Sequence, residues 1–168
     1  ATPQASVAEE MPEELAYRDL TGLTAALVAL VSAIMIFVVL NQLMNWGYFV
    51  GFTVLENSYL YVLAAAFLPI AFLCYPAHAA WARASVPWYD WLLALAAAAI
   101  CGYFAWNGKL NVEDGWEYQA PLYARYAGIV LWLIVIEALR RTGGWTIAVI
   151  VFLMSLYPVV AEIMPGRI

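Results

Sequence analysis

Charge and apolar length are kept apart in this chain. Five stretches, roughly Gly22–Met44, Tyr59–Pro76, Trp88–Trp106, Leu122–Leu139 and Trp145–Ile163, carry hardly a Lys, Arg, Asp or Glu between their ends. A bilayer core is crossed by about 20 apolar residues in a helix. Backbone facing lipid finds no water, so each stretch must satisfy its own N–H and C=O groups as a helix. The expected fold is therefore an all-α, polytopic membrane bundle of about five transmembrane helices. Proton relays and ion paths place ionisable groups at membrane depth. None is expected in mid-span here, which favours a chain that works through a partner.

The 168 residues are 66% hydrophobic and 11% charged, against about 25% charged in a soluble domain. Five spans use about 100 positions, which leaves loops and an arm. Two units follow: an acidic, flexible cytoplasmic arm over 1–21 and a single transmembrane domain over 22–168. Much of the net charge of −5 sits in that arm, at Glu9, Glu10, Glu13, Glu14 and Asp19. The arm lacks the positive region and apolar core of a signal peptide, so the first apolar run is expected to direct insertion. No basic surface for nucleic acid is present in this composition.

Antiparallel threading puts Arg18, Arg83, Arg140 and Arg141 on one side of the membrane. Lys109, Arg125 and Arg167 fall on the other, with Glu56, Glu113, Asp114 and Glu117. Cytoplasmic loops favour Lys and Arg. The N-terminus is therefore expected in the cytoplasm and the C-terminus in the periplasm of a bacterial inner membrane. All the tryptophans but Trp132 fall near a run end or in a link, where amphipathic rings settle at headgroup level. Trp132 lies at mid-span, and its indole N–H needs a partner in the bundle or in another subunit.

Small residues at four-residue spacing predict close helix packing along Ala25, Ala29 and Ala33, and along Ala94, Ala98 and Gly102. Gly47 and Gly51 also form a GxxxG, but in a link, where a dimer role is not expected. The third run opens on Val86-Pro87-Trp88-Tyr89-Asp90-Trp91. Ser85 reads as its cap, Pro87 as a first-turn residue and Asp90 as a charge that complements the positive helix end. Trp88, Tyr89 and Trp91 read as interface anchors. Glu137 and Arg141 stand four apart on one helical face and predict an ion pair. Gly143 and Gly144 permit a tight reversal before Trp145. Arg140 and Arg141 then read as a positive anchor, or as a docking site for an acidic segment or lipid headgroup. Cys74 and Cys101 read as packing residues. His78 is the single histidine, and a pigment or haem contact at His78 or Trp132 is left open. No catalytic, cofactor or metal set stands out, so a non-enzymatic role is expected.

The Pro87-Trp88-Tyr89-Asp90-Trp91 opening, the hairpin from Glu137 to Trp145 and Pro165-Gly166 occur in that order. Together they resemble the N-terminal part of the fused membrane subunits of TAXI-type tripartite ATP-independent periplasmic (TRAP) transporters, over roughly residues 22–166. In that family a periplasmic solute-binding protein delivers a carboxylate or related solute. A large membrane domain holds the substrate and sodium sites and moves like an elevator, and a smaller part braces it. The resemblance implies a small scaffold subunit that assembles with a large membrane subunit and a binding protein. No substrate or sodium residue carries over, because the regions that hold them in the family lie beyond the part matched. The alternative is an accessory or assembly subunit of another complex, photosynthetic or respiratory, derived from such a subunit.

Overall fold

The structure, a computed structural model, describes residues 17–47, 56–78 and 85–161. Trp81, Arg83, Gly51, the acidic cluster Glu9, Glu10, Glu13 and Glu14, and Pro165-Gly166 lie outside the described residues. The elements are α1 (Gly22–Leu43), α2 (Glu56–Cys74), α3 (Trp88–Trp106), α4 (Gly108–Glu113), α5 (Trp116–Gln119) and α6 (Leu122–Ala161). The architecture is an all-α membrane bundle. Three of these helices are long and apolar enough to cross a membrane, and α2 adds a shorter apolar helix over Ser58–Cys74.

The reversal expected at Gly143-Gly144 occurs inside α6. Gly144 adopts φ 78 and ψ 176, outside the helical region. The indole N–H of Trp132 donates to Ser155 Oγ at 2.9 Å, although the two are 23 residues apart. A straight helix would separate them by about 34 Å. The Trp132 ring also stacks on Phe152, with centroids 5.2 Å apart. Residues 122–143 and 145–161 are therefore two limbs of an antiparallel hairpin. The mid-span indole finds its partner within the chain.

The core lies where α2, α3 and the first limb of α6 meet. Phe72, Ala94, Ala97, Ile134 and Ala138 form its buried centre. Alanine dominates because small side chains let helix backbones approach, and the Phe72 ring fills the space they leave. α2 and α3 make the most extensive helix pair. On α3 the buried residues are Asp90, Ala94, Ala97, Cys101 and Phe104. This corrects the four-residue ladder: Ala94 is buried, Ala98 is partly buried and Gly102 is exposed. A helix turns every 3.6 residues, so a strict step of four drifts off the contact face. Alternating steps of three and four stay on it. On α1, Ala25 is partly buried, whereas Ala29 and Ala33 are exposed. No residue of α1 is fully buried.

The end opposite the arginines is closed by the short helices and by aromatic contacts. Tyr103 and Trp116 both meet Tyr123 edge-on, at 6.4 and 6.1 Å. Tyr61 stacks on Phe104 at 5.2 Å. Gly108 is buried against Ser58, and a Cβ there would overlap the Ser58 hydroxyl. Three substitutions test this packing. Gly144→Ala forces a side chain into positive φ and is expected to cost about 1–3 kcal/mol. Gly108→Ala is expected to loosen α2 from α4. Gly102→Ala, with open space around the new methyl, should lower the unfolding temperature in detergent little or not at all. An equal loss in all three would remove the special role of Gly144 and Gly108.

Candidate functional site

The most elaborate polar construction among the described residues is an ion cluster at one end of the bundle. Its members come from three separated parts of the chain. Arg18 precedes α1, Asp90 lies in the first turn of α3, and Glu137, Arg140 and Arg141 close the first limb of α6. Antiparallel threading brings all three parts to the same side.

Asp90 is the centre. Its Oδ2 accepts from Arg18 Nη2 at 2.6 Å and its Oδ1 from Arg141 Nη1 at 2.7 Å. Asp90 is wholly buried, with Arg18 5% and Arg141 7% exposed. A second layer surrounds this triad. Glu137 Oε1 accepts from Arg141 Nε and from Arg140 Nη2, both at 2.7 Å, and Oε2 accepts from Arg140 Nε at 2.8 Å. The predicted Glu137–Arg141 pair is present, and it is one edge of a five-residue network.

Carbonyl groups at the end of α2 complete the arrangement. Helix ends leave their last carbonyls without intrahelical donors. Arg18 Nη1 donates to the carbonyls of Phe72 and Leu73 at 3.2 and 3.3 Å. Its backbone N–H donates to the Cys74 carbonyl at 2.8 Å. Arg141 Nη1 reaches the Tyr75 carbonyl at 3.4 Å, and Arg140 reaches that of Ala77 at 3.3 Å. The Arg141 guanidinium also lies over the Phe72 ring, 5.0 Å from its centroid. The cluster is thus continuous with the apolar core through one side chain.

Several expectations are corrected by this geometry. Arg18, expected in a polar arm, is instead buried against α2 and α3. Asp90 lies in the first turn of α3, where its charge complements the helix end as expected, and it also joins two arginines from distant segments. Ser85 does not cap α3: the N-cap is Pro87, and no side chain supplies a capping hydrogen bond. Arg140 and Arg141, candidate docking groups for an external acid or headgroup, bind within the chain. Both are engaged by Glu137 and by the Tyr75 and Ala77 carbonyls just past α2, and Arg141 also by Asp90. Trp145 lies exposed beside Arg140, whose guanidinium is 5.3 Å from its ring centroid. Trp88 is exposed at the membrane face of α3, with Tyr89 and Trp91 partly buried. His78 is exposed beyond α2, and Cys74 and Cys101 are free thiols. No group of His, Cys, Asp and Glu among the described residues is arranged to hold a metal ion.

The arrangement is suited to holding. Each oxygen of Asp90 and Glu137 accepts from a guanidinium, so neither carboxylate presents an unengaged oxygen. At the other end lies an apolar cavity of about 580 Å³, walled by Tyr61, Leu68, Phe104, Asn111, Trp116 and Val135. It brings no titratable pair together. No protein-family model matches the chain, and neither curated proteins nor solved structures include a significant match.

Removing one member of a buried ion pair strands its partner and costs about 3–5 kcal/mol. Asp90→Ala and Arg141→Gln are expected to lose stability of that order in detergent. Lys109→Gln, which breaks the exposed Lys109–Glu113 contact at 3.6 Å, is expected to cost about 0–1 kcal/mol. Equal effects at the two ends of the bundle would contradict the hierarchy.

Proposed function

We propose that this chain is a non-catalytic scaffold subunit of a TRAP-type, ion-coupled importer of carboxylates or related solutes. Its partners are then a large membrane subunit that carries the transport site and a periplasmic solute-binding protein. The observation that supports this reading most is the use made of the charged groups. Arg18, Asp90, Glu137, Arg140 and Arg141 bind one another and the end of α2. Such a network fixes helix positions. A scaffold needs fixed helices if a mobile domain is to slide against it.

The outward faces support the same reading. α1 exposes Leu23, Leu30, Ile36 and Phe37, and the second limb of α6 exposes Ile147, Leu153 and Met154. In a bilayer these faces meet lipid or another membrane subunit, and they carry no charge that would forbid either. By the basic-residue bias, the ion cluster faces the cytoplasm of a bacterial inner membrane and the C-terminus faces the periplasm.

Affinity purification of the tagged chain after mild detergent extraction tests the assignment. A large polytopic permease is expected to co-purify, and the isolated chain in liposomes is expected to take up no solute. Co-purification of pigment or haem proteins instead would move the chain to the accessory-subunit reading. Solute uptake by the chain alone would overturn the scaffold role.

A further inference from the structure

One membrane helix is held differently from the others. Among the described helices, only α2 has backbone within 8 Å of α1, Cα to Cα, and it meets α1 far less extensively than it meets α3. No residue of α1 is fully buried. Apolar helices gain little from the hydrophobic effect when they associate in lipid, so this contact fixes the angle of α1 weakly.

The root of α1 is fixed firmly. Arg18 donates its backbone N–H to the Cys74 carbonyl at 2.8 Å, and its guanidinium binds the Phe72 and Leu73 carbonyls and Asp90. Breaking that buried pair would strand a charge, so the anchor stays closed while the helix beyond it moves. Asp19, Leu20 and Thr21 join the anchor to α1 without helical structure. Gly22 then begins α1 at φ 63, and a Cβ there would meet nothing within 4 Å. Glycine passes between positive and negative φ at little cost. Hinges are residues at element ends that absorb such changes.

The surroundings leave room at this point. A cavity of about 340 Å³ separates the first turn of α1 from the start of α3, with Thr21 and Thr24 on one side and Ser85, Val86 and Trp91 on the other. The Thr24 hydroxyl donates to the Thr21 carbonyl at 2.9 Å, within its own turn rather than across the cavity. We infer that α1 is a hinged strut: Arg18 locks its root, and the helix pivots at Gly22 within the bilayer. At about 1.5 Å of rise per residue, a tilt of about 10° there moves Leu40 by about 5 Å and Leu23 by less than about 1 Å. The bundle can thereby change the angle of one membrane helix without opening its ion cluster. The inference does not depend on the scaffold reading.

Spin-label distances in the full chain in detergent test it, with Cys74 and Cys101 replaced by Ala. One pair, Leu23→Cys with Leu92→Cys, reads the root. The other, Leu40→Cys with Leu60→Cys, reads the far end, and all four positions are exposed. The far-end distribution is expected to be about 5 Å broader than the root distribution. Val86→Phe, which fills the cavity beside the first turn, is expected to narrow the far end and leave the root unchanged. Should the cysteine-free chain fail to fold, labels on ketone-bearing residues at the same four positions give the same reading with both cysteines intact. Equal widths at the two ends would overturn the proposal, as would a far end that Val86→Phe leaves unchanged. Broad distributions at both ends would show that Arg18 is no anchor and would overturn it as well.

Discussion

A carboxylate removed from water at the end of a helix must be matched or neutralised. Asp90 is matched twice, and much of the bundle's geometry follows from that. Arg18 can reach Asp90 only if the chain before α1 lies across the end of α2. Arg141 can reach it only if the first limb of α6 ends beside the start of α3. The same two guanidinium groups satisfy carbonyls at the end of α2. One buried charge thus sets the relative positions of four segments. Phe72, beneath Arg141 and inside the alanine core, carries that constraint into the apolar packing.

A bilayer gives this arrangement its importance. Helices in lipid gain little from the hydrophobic effect when they associate, because lipid tails are as apolar as their side chains. Position must then come from close packing and from polar contacts. The alanine seam of α3 supplies the first and the Asp90 cluster supplies the second. α1 shows the consequence of lacking a seam. None of its residues is fully buried, and Arg18, just before it begins, supplies polar contacts that hold this part of the chain to the bundle.

The fold was legible in the sequence because membrane insertion writes itself into apolar length. α1, α2, α3 and the two limbs of α6 match the five runs closely, and Gly144 turns where a glycine pair stood. Local chemistry was also legible: Glu137 and Arg141 are four residues apart on one helix. The central pairs were not. Arg18 and Asp90 are 72 residues apart, and Arg141 and Asp90 are 51 apart. Their contact depends on helix packing that no local spacing encodes. Asp90 also had a sufficient local explanation at a helix start, which concealed its distant partners. One usable signal existed: antiparallel threading places Arg18, Asp90 and Arg141 on the same side of the membrane. The alanine ladders failed for a geometric reason, because a step of four residues overshoots the helical repeat. The Trp132 partner was out of reach because it depends on how the two limbs align.

Arg18, Asp90 and Arg141 act as one unit. The most direct test is a comparison of unfolding free energies in detergent for Arg18→Met, Asp90→Leu, Arg141→Met and the triple variant. Replacing a whole buried ion triad by apolar residues is often close to neutral, whereas stranding one member costs about 3–5 kcal/mol. The triple variant is expected to be at least as stable as Asp90→Leu alone. Losses that simply add across the three sites would contradict it.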